Sequence, residues 1–253
     1  MKIISCCKIV PNEEEIFVLP NRELSLTEAS FSISQYDLNA LESAKRLASE
    51  TKGSVVALSI GSSKYLENTK IQKDILSRGA DELVLVTDDI HEYSDSLQTA
   101  KSIAKALEEL DYDLVLCGAG SNDLYSQVVG TQAGTLLHIP TINNITKIEV
   151  VSDGQIEVER TLENEIEILR IQLPAILSVS SEINIPSVPN MREIMKAGKK
   201  PVNKLSFNLE LDSYIAIQEQ LAPEQQERRQ EIIENDDEES VDLLFQFLKK
   251  EGF

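Results

Sequence analysis

The sequence predicts an α/β protein: a doubly wound, mainly parallel sheet with an antiparallel extension and a C-terminal arm. Three observations carry that prediction. Residues 2–10, 54–60, 82–87 and 114–117 are short, mostly apolar runs of the kind found in strands covered on both faces. Stretches with apolar residues at helical spacing separate them, which is the alternation that right-handed crossovers produce. After Pro140 the apolar period falls to two, as in antiparallel hairpins.

In chain order, Pro11 closes the first strand, and residues 12–21, with Glu13-Glu14-Glu15 followed by IFVLP, read as an excursion carrying a short edge strand. Residues 27–33 form a second short strand. A helix then follows Ser34-Gln35-Tyr36-Asp37, striped by Leu38, Leu41, Ala44, Leu47 and Ala48, with Glu42, Lys45 and Arg46 on its wet side. Asp37 reads either as its N-terminal cap or as a functional side chain. Gly61-Ser62-Ser63 opens the next helix, which runs through Ser77 to a stop at Gly79, and residues 95–110 form another.

Residues 113–140 are the most informative stretch. Gly118 and Gly120 let the backbone turn tightly after a buried strand, and Ser121, Asn122 and Asp123 offer cap-type oxygens before an apolar-striped helix. The first amides of a helix lack internal partners and carry the positive end of its dipole, so such a turn suits a phosphate. A glycine turn with nothing bound has the same local pattern, but the polar excess over residues 122–127 favours a ligand at this strand end. The loops after Cys7 and at residues 59–62 converge on the same sheet edge.

Beyond Pro140, residues 146–151, 155–162 and 166–173 alternate, Asp153-Gly154 marks a hairpin, and AILSVS after Pro174 is a last buried strand. Residues 183–202, INIPSVPNMREIMKAGKKPV, hold a short helix-forming centre and the basic run Lys196, Lys199 and Lys200. On an acidic protein this segment reads as a docking element presenting Met191, or as a solvated loop whose methionine tucks inward. From Asn203 the chain leaves the core: residues 223–239 are an acidic linker, and residues 240–250 a helix with Val241, Leu244, Phe245 and Leu248 on one face. The expected division is therefore a domain over 1–202 and an arm over 203–253.

With 253 residues and 42% apolar content, the chain can bury one full core plus an appendage. Its net charge of −19 argues against a nucleic-acid partner, whose phosphates need a basic face. No apolar run is long enough to insert in a membrane, and Met1-Lys2 leads straight into IISCC, so a cytoplasmic location is expected. Cys6, Cys7 and Cys117 lack metal or disulfide spacing and read as small core residues, and neither His91 nor His138 lies near a nucleophile pattern.

Several segments carry a family resemblance: MKIISCCKIVPNEEE, ISQYDLNALESAKRLA, ALSIG, KDILSRGADELVLV, DLVLCGAGSNDLYSQVVG, VERTLENEIEILRIQLPAILSVS and PSVPNMREIMKAGKKPV. In these the chain resembles the β subunit of electron-transfer flavoproteins, within the Fix-type group associated with anaerobic acyl-CoA or carnitine metabolism. The resemblance implies an adenine-nucleotide-binding fold in a heterodimer, whose α subunit carries most contacts to a redox-active FAD. It implies AMP in the β subunit's own crevice, or a second FAD in members that bifurcate electrons from NADH. Electrons would pass between a donor and an acyl-CoA-dehydrogenase-like or quinone-linked partner, with no catalytic side chain. The implied nucleotide contacts are Cys6, Ser34, Asp37, Gly61, Asn122, Asp123, Ser126, Gln127 and Val128. Ser34 and Gln35 stand where many members have asparagine and proline, Val128 stands where a glutamine is usual, and Glu13 replaces an aromatic residue. The family's docking loop falls on residues 189–200, with Met191 for the usual leucine and Lys196 nearby, and Leu244 and Phe245 lie in the arm that clasps the α subunit. A freestanding nucleotide-binding regulator of the universal-stress type is the alternative. An ATP-pyrophosphate-cleaving enzyme would need a serine-glycine-glycine loop where the chain has Lys8-Ile9-Val10-Pro11.

Overall fold

The computed structural model describes residues 1–87, 94–152, 154–207, 215, 217–224, 232–233 and 238–252. The parallel strands are β1 (Lys2–Cys6), β6 (Ser54–Gly61), β7 (Glu82–Thr87), β8 (Leu114–Gly118) and β12 (Ala175–Val179). β9 (Thr141–Ser152), β10 (Gln155–Thr161) and β11 (Ile166–Gln172) form the extension, and β13 (Val202–Leu205) closes the opposite edge. The order β11-β10-β9-β12-β8-β1-β6-β7-β13 makes one nine-stranded sheet, parallel from β9 to β13 and antiparallel through β10 and β11.

Strand alternation sorts the core into two layers. Ile3, Val55, Leu83, Leu114 and Ala175 face α1 (Gln35–Thr51) and α3 (Thr69–Ser77), packing with Ala40, Leu41, Ala44, Ile75 and Leu76. Their neighbours Ile4, Val56, Val84, Val115 and Ile176 face α4 (Ser96–Glu108) and α5 (Val129–Leu136), against Ala100, Ile103, Leu107 and Ala133. These five central strands are buried on both sides, which is why their runs read as continuous apolar sequence.

The structure corrects several expectations. Residues 2–10 are not one strand: β1 ends at Cys6, and β2 (Ile9–Pro11) turns away to pair antiparallel with β5 (Phe31–Ile33). The excursion between them holds a hairpin of β3 (Phe17–Val18) and β4 (Leu24–Ser25). The helix expected over 61–77 is two, α2 (Ser63–Leu66) and α3, because the Asn68 side chain caps a new start by accepting from the Lys70 amide at 2.9 Å. Glu42 is buried, not on a wet face. The sheet continues three residues past the expected core boundary through β13, whose polar edge sequence pairs in parallel with β7. Of the hairpin signal Asp153-Gly154, Gly154 has the left-handed φ of +77° a tight turn requires, whereas Asp153 lies outside the described residues, as does most of the acidic linker. Residues 221–224 return to the excursion, where Ala222 donates to Arg22 and Arg22 pairs with Glu224. The terminal helix α7 (Glu238–Glu251) leaves Val241, Leu244 and Phe245 exposed. No helix among the described residues is long and apolar enough to cross a membrane.

Candidate functional site

The chain runs from β1 through β6 to β7 on one side, then returns through α4 to place β8 on the other side of β1. β1 and β8 therefore flank the topological switch point, where the loops beyond the strands' carboxyl ends diverge and leave a place for a ligand.

Asp37 organises this edge. It sits in the first turn of α1 and caps nothing there; Ser34 occupies the cap position, and Asp37 reaches out of the helix instead. Its Oδ2 accepts from the Lys8 amide at 2.7 Å and its Oδ1 from the Gly118 amide at 2.9 Å, so one carboxylate ties the end of β8 to the chain leaving β1. Burial pushes its pKa up to about 7, and the two amides with the Lys8 charge offset this only in part. This tertiary bond is what ends β1: Cys7 still donates to Leu58 as a ladder residue would, while the next amide is diverted to Asp37.

Residues 119–128 form a loop, and α5 begins only at Val129, with Val128 in the cap position and no side-chain cap. The expected cap oxygens are engaged elsewhere. Asn122 Oδ1 accepts from Ser34 Oγ at 3.1 Å and from the Gln35 amide at 2.8 Å, fastening the loop to the start of α1. Asp123 accepts from Lys8 Nζ at 2.6 Å and from Ser121 Oγ at 2.5 Å. Burial alone would raise the Asp123 pKa, yet the Lys8 ammonium and Ser121 hydroxyl hold it below the usual carboxylate range.

Gly118 and Gly120 are needed for close approach and not for a left-handed turn, since neither has a positive φ. A Cβ on Gly118 would lie 2.6 Å from the Tyr36 Cβ, and one on Gly120 2.3 Å from the Tyr125 ring. Tyr125 and Gln127 take left-handed φ values of 46° and 61°, a conformation uncommon outside glycine that marks this loop as locally constrained. The Tyr36 and Tyr125 rings stand 5.3 Å apart and line a cleft of about 240 Å³ together with Asn144, Thr161 and Ser180. None of the nine expected cofactor contacts lines that cleft.

Of those nine, Ser34, Asp37, Asn122 and Asp123 are joined by the bonds above. Cys6 ends β1 beside them; its hydrogen bond with Cys117, followed by burial, pushes its thiol pKa well up, so it is no nucleophile. Gly61 ends β6, where a side chain would meet only ordinary contact with Leu66. Ser126, Gln127 and Val128 are exposed farther along the loop. Met191 and Lys196 lie apart from this cluster, exposed on α6 (Met191–Ala197), which packs against α3; Lys200 is not free but donates to the Leu76 and Ala80 carbonyls. Leu244 and Phe245 lie on α7.

Sequence reasoning did not find Lys8, whose only signal is being the first cation after β1. It also missed the polar face of α1. There Asn39 and Asn184 exchange hydrogen bonds, Asn184 donates to Ser43, and Glu42 accepts from Ser187, so the segment before α6 is tied to the same helix that carries Asp37. No cluster of three or more metal-ligating side chains occurs among the described residues.

A doubly wound sheet with its constrained loop at the switch point agrees with the comparison to known families, in which the model of the electron transfer flavoprotein domain matches residues 24–209. That span takes in the sheet from β6 through β13, α1 with Asp37 and the whole loop 119–128, and the chain belongs to the electron transfer flavoprotein family.

Proposed function

We propose that this chain is the β subunit of a Fix-type electron transfer flavoprotein, paired with an α subunit that carries most contacts to a redox-active FAD. The observation that carries the reading is the switch-point cluster, in which Lys8, Ser34, Asp37, Asn122 and Asp123 hold three separate segments together around an exposed loop. One ammonium, several hydroxyls and the amides of an exposed loop suit the phosphate of AMP or the pyrophosphate of a second FAD. Cys6, Ser34, Asp37, Gly61, Asn122, Asp123, Ser126, Gln127 and Val128 are the proposed contacts. The flavin of the complex supplies the electron-accepting ring, and this chain's residues bind and orient the nucleotide without needing to act as acid, base or nucleophile.

Residues 183–202 are the proposed docking element of a 1–202 domain. Met191 is 73% exposed, as an anchor for a redox partner must be, and it keeps the bulk of the leucine it replaces, with Lys196 adding a positive charge nearby. Residues 203–253 are the proposed arm, with Leu244 and Phe245 clasping the α subunit. The partner served is an acyl-CoA-dehydrogenase-like or quinone-linked oxidoreductase of cytoplasmic acyl-CoA or carnitine metabolism.

The test is to co-express the chain with its α subunit, release the bound nucleotides from the purified complex, and count them. One FAD with one AMP per heterodimer identifies a simple carrier, and two FAD identify a bifurcating one. A single FAD with no further adenine nucleotide overturns the β-subunit crevice.

A further inference from the structure

We infer that Lys8 is the phosphate-fixing residue of the switch-point site and makes it select phosphorylated nucleosides over unphosphorylated ones. The inference rests on the nucleotide reading of that site and adds a residue that lies before the span matched by the family model.

Both backbone groups of Lys8 are fixed to the start of α1: its amide donates to Asp37 Oδ2 at 2.7 Å and its carbonyl accepts from the Ser34 amide at 2.9 Å. The position of the Lys8 Cα is thus set by tertiary bonds, while the side chain reaches across to Asp123, 2.6 Å from Oδ2 and 2.8 Å from Oδ1. It spans the gap between the loop leaving β1 and the loop leaving β8, the two that flank the switch point.

The electrostatics of the place require such a cation. The chain carries a net charge of −19, and two carboxylates, Asp37 and Asp123, stand at this edge. A phosphate brought to the loop 119–128 meets like charge unless a neighbouring cation offsets it. Lysine suits the task better than a guanidinium committed to a two-pronged pair. Its ammonium is a point charge with three donors on a flexible stem, and its side chain is 40% exposed, so it can keep Asp123 while turning another proton to an incoming anion. Asp123 then serves to hold the ammonium over the site.

The experiment measures binding of AMP and of adenosine to the full chain by titration calorimetry, for wild type, Lys8→Met and Lys8→Arg. The expected result is that Lys8→Met weakens AMP binding about ten- to a hundredfold, changes adenosine binding less than about twofold, and flattens the salt dependence of AMP binding. Lys8→Arg keeps most of the preference for AMP. Unchanged AMP affinity in Lys8→Met overturns the inference, and so does an equal loss for AMP and adenosine, because that is the mark of a merely structural role. A wild-type chain that binds neither compound overturns the nucleotide reading itself, an outcome distinct from wild type that binds AMP with no dependence on Lys8.

Discussion

Replacing Asp37 with asparagine separates the two roles of its carboxylate. Asparagine keeps one oxygen for one of the two amides, Lys8 or Gly118, and turns an NH2 group toward the other, leaving a buried donor unsatisfied at a cost of about 1–3 kcal/mol at every pH. The substitution also removes a titration. In the fold the carboxyl is pushed up to about 7 by burial from an ordinary value of 3.8, so the folded state holds a proton that the unfolded chain has released. The stability this gives is fully present below 3.8 and is lost as pH rises through about 7. At about 1.4 kcal/mol per pH unit, the wild type should lose about 2.5 kcal/mol relative to Asp37→Asn between pH 5 and pH 8. The assay is urea unfolding of both proteins at half-unit pH steps, compared as the difference between mutant and wild type so that all other titrations cancel. A difference that stays flat across that window would show that the carboxyl titrates normally, and would refute burial as the dominant force on it.

Three further outcomes follow. Gly118→Ala should destabilise the fold by about 1–3 kcal/mol, read as a lowered urea midpoint, because the new Cβ lies 2.6 Å from the Tyr36 Cβ and 2.8 Å from Asp37 Oδ1 and forces the start of α1 off the sheet. Met191→Ala should slow electron delivery between the heterodimer and its dehydrogenase in stopped-flow mixing while leaving the flavin absorbance spectrum unchanged; an unaltered rate would remove the docking role. Truncation of residues 240–253 should weaken association with the α subunit, seen as dissociation of the complex on dilution during size-exclusion chromatography, since it removes the exposed apolar face formed by Val241, Leu244 and Phe245.

How much of this was legible depended on whether the cause was local. β6, β7, β8 and β12 could be read because two-sided burial writes itself as an apolar run, and α4 because Leu97, Ala100, Ile103, Ala104, Leu107 and Leu110 recur at helical spacing. The break between β1 and β2 could not, since it is made by a carboxylate far along the chain. The start of α5 failed for the same reason: Asn122 and Asp123 have the chemistry of caps, but their oxygens go to Ser34, Gln35 and Lys8. β13 carries a polar edge sequence whose strand character comes from its partner β7. Within the site, the polar cluster on the loop was visible as composition, whereas the cation that faces it was not.

Glu42 shows what local reading loses and what the fold gains from it. By spacing it belongs on a solvated face with Lys45 and Arg46, yet it is buried, accepting from Ser187 Oγ at 2.7 Å and from Arg46 Nε at 2.8 Å. Burial would raise its pKa, but those donors together with Lys45 hold it low, so it remains a charged acceptor. Arg46 also donates to the Ile185 carbonyl, and two turns earlier Asn39 and Asn184 exchange hydrogen bonds. The segment fastened in this way is the one that leaves Ile185, Val188, Met191 and Met195 each more than 70% exposed. Apolar side chains held in solvent on a polar footing cannot be stabilised by their own burial, so α1 places the segment around Ile185 and Ser187, and the packing of α6 on α3 places Met191 and Met195. The same helix begins with Ser34 and Asp37. α1 therefore holds the switch-point loops at one end and the segment leading into α6 along its side, while α3, with the ion pair between Lys45 of α1 and Glu193, seats the helix that carries the exposed methionines.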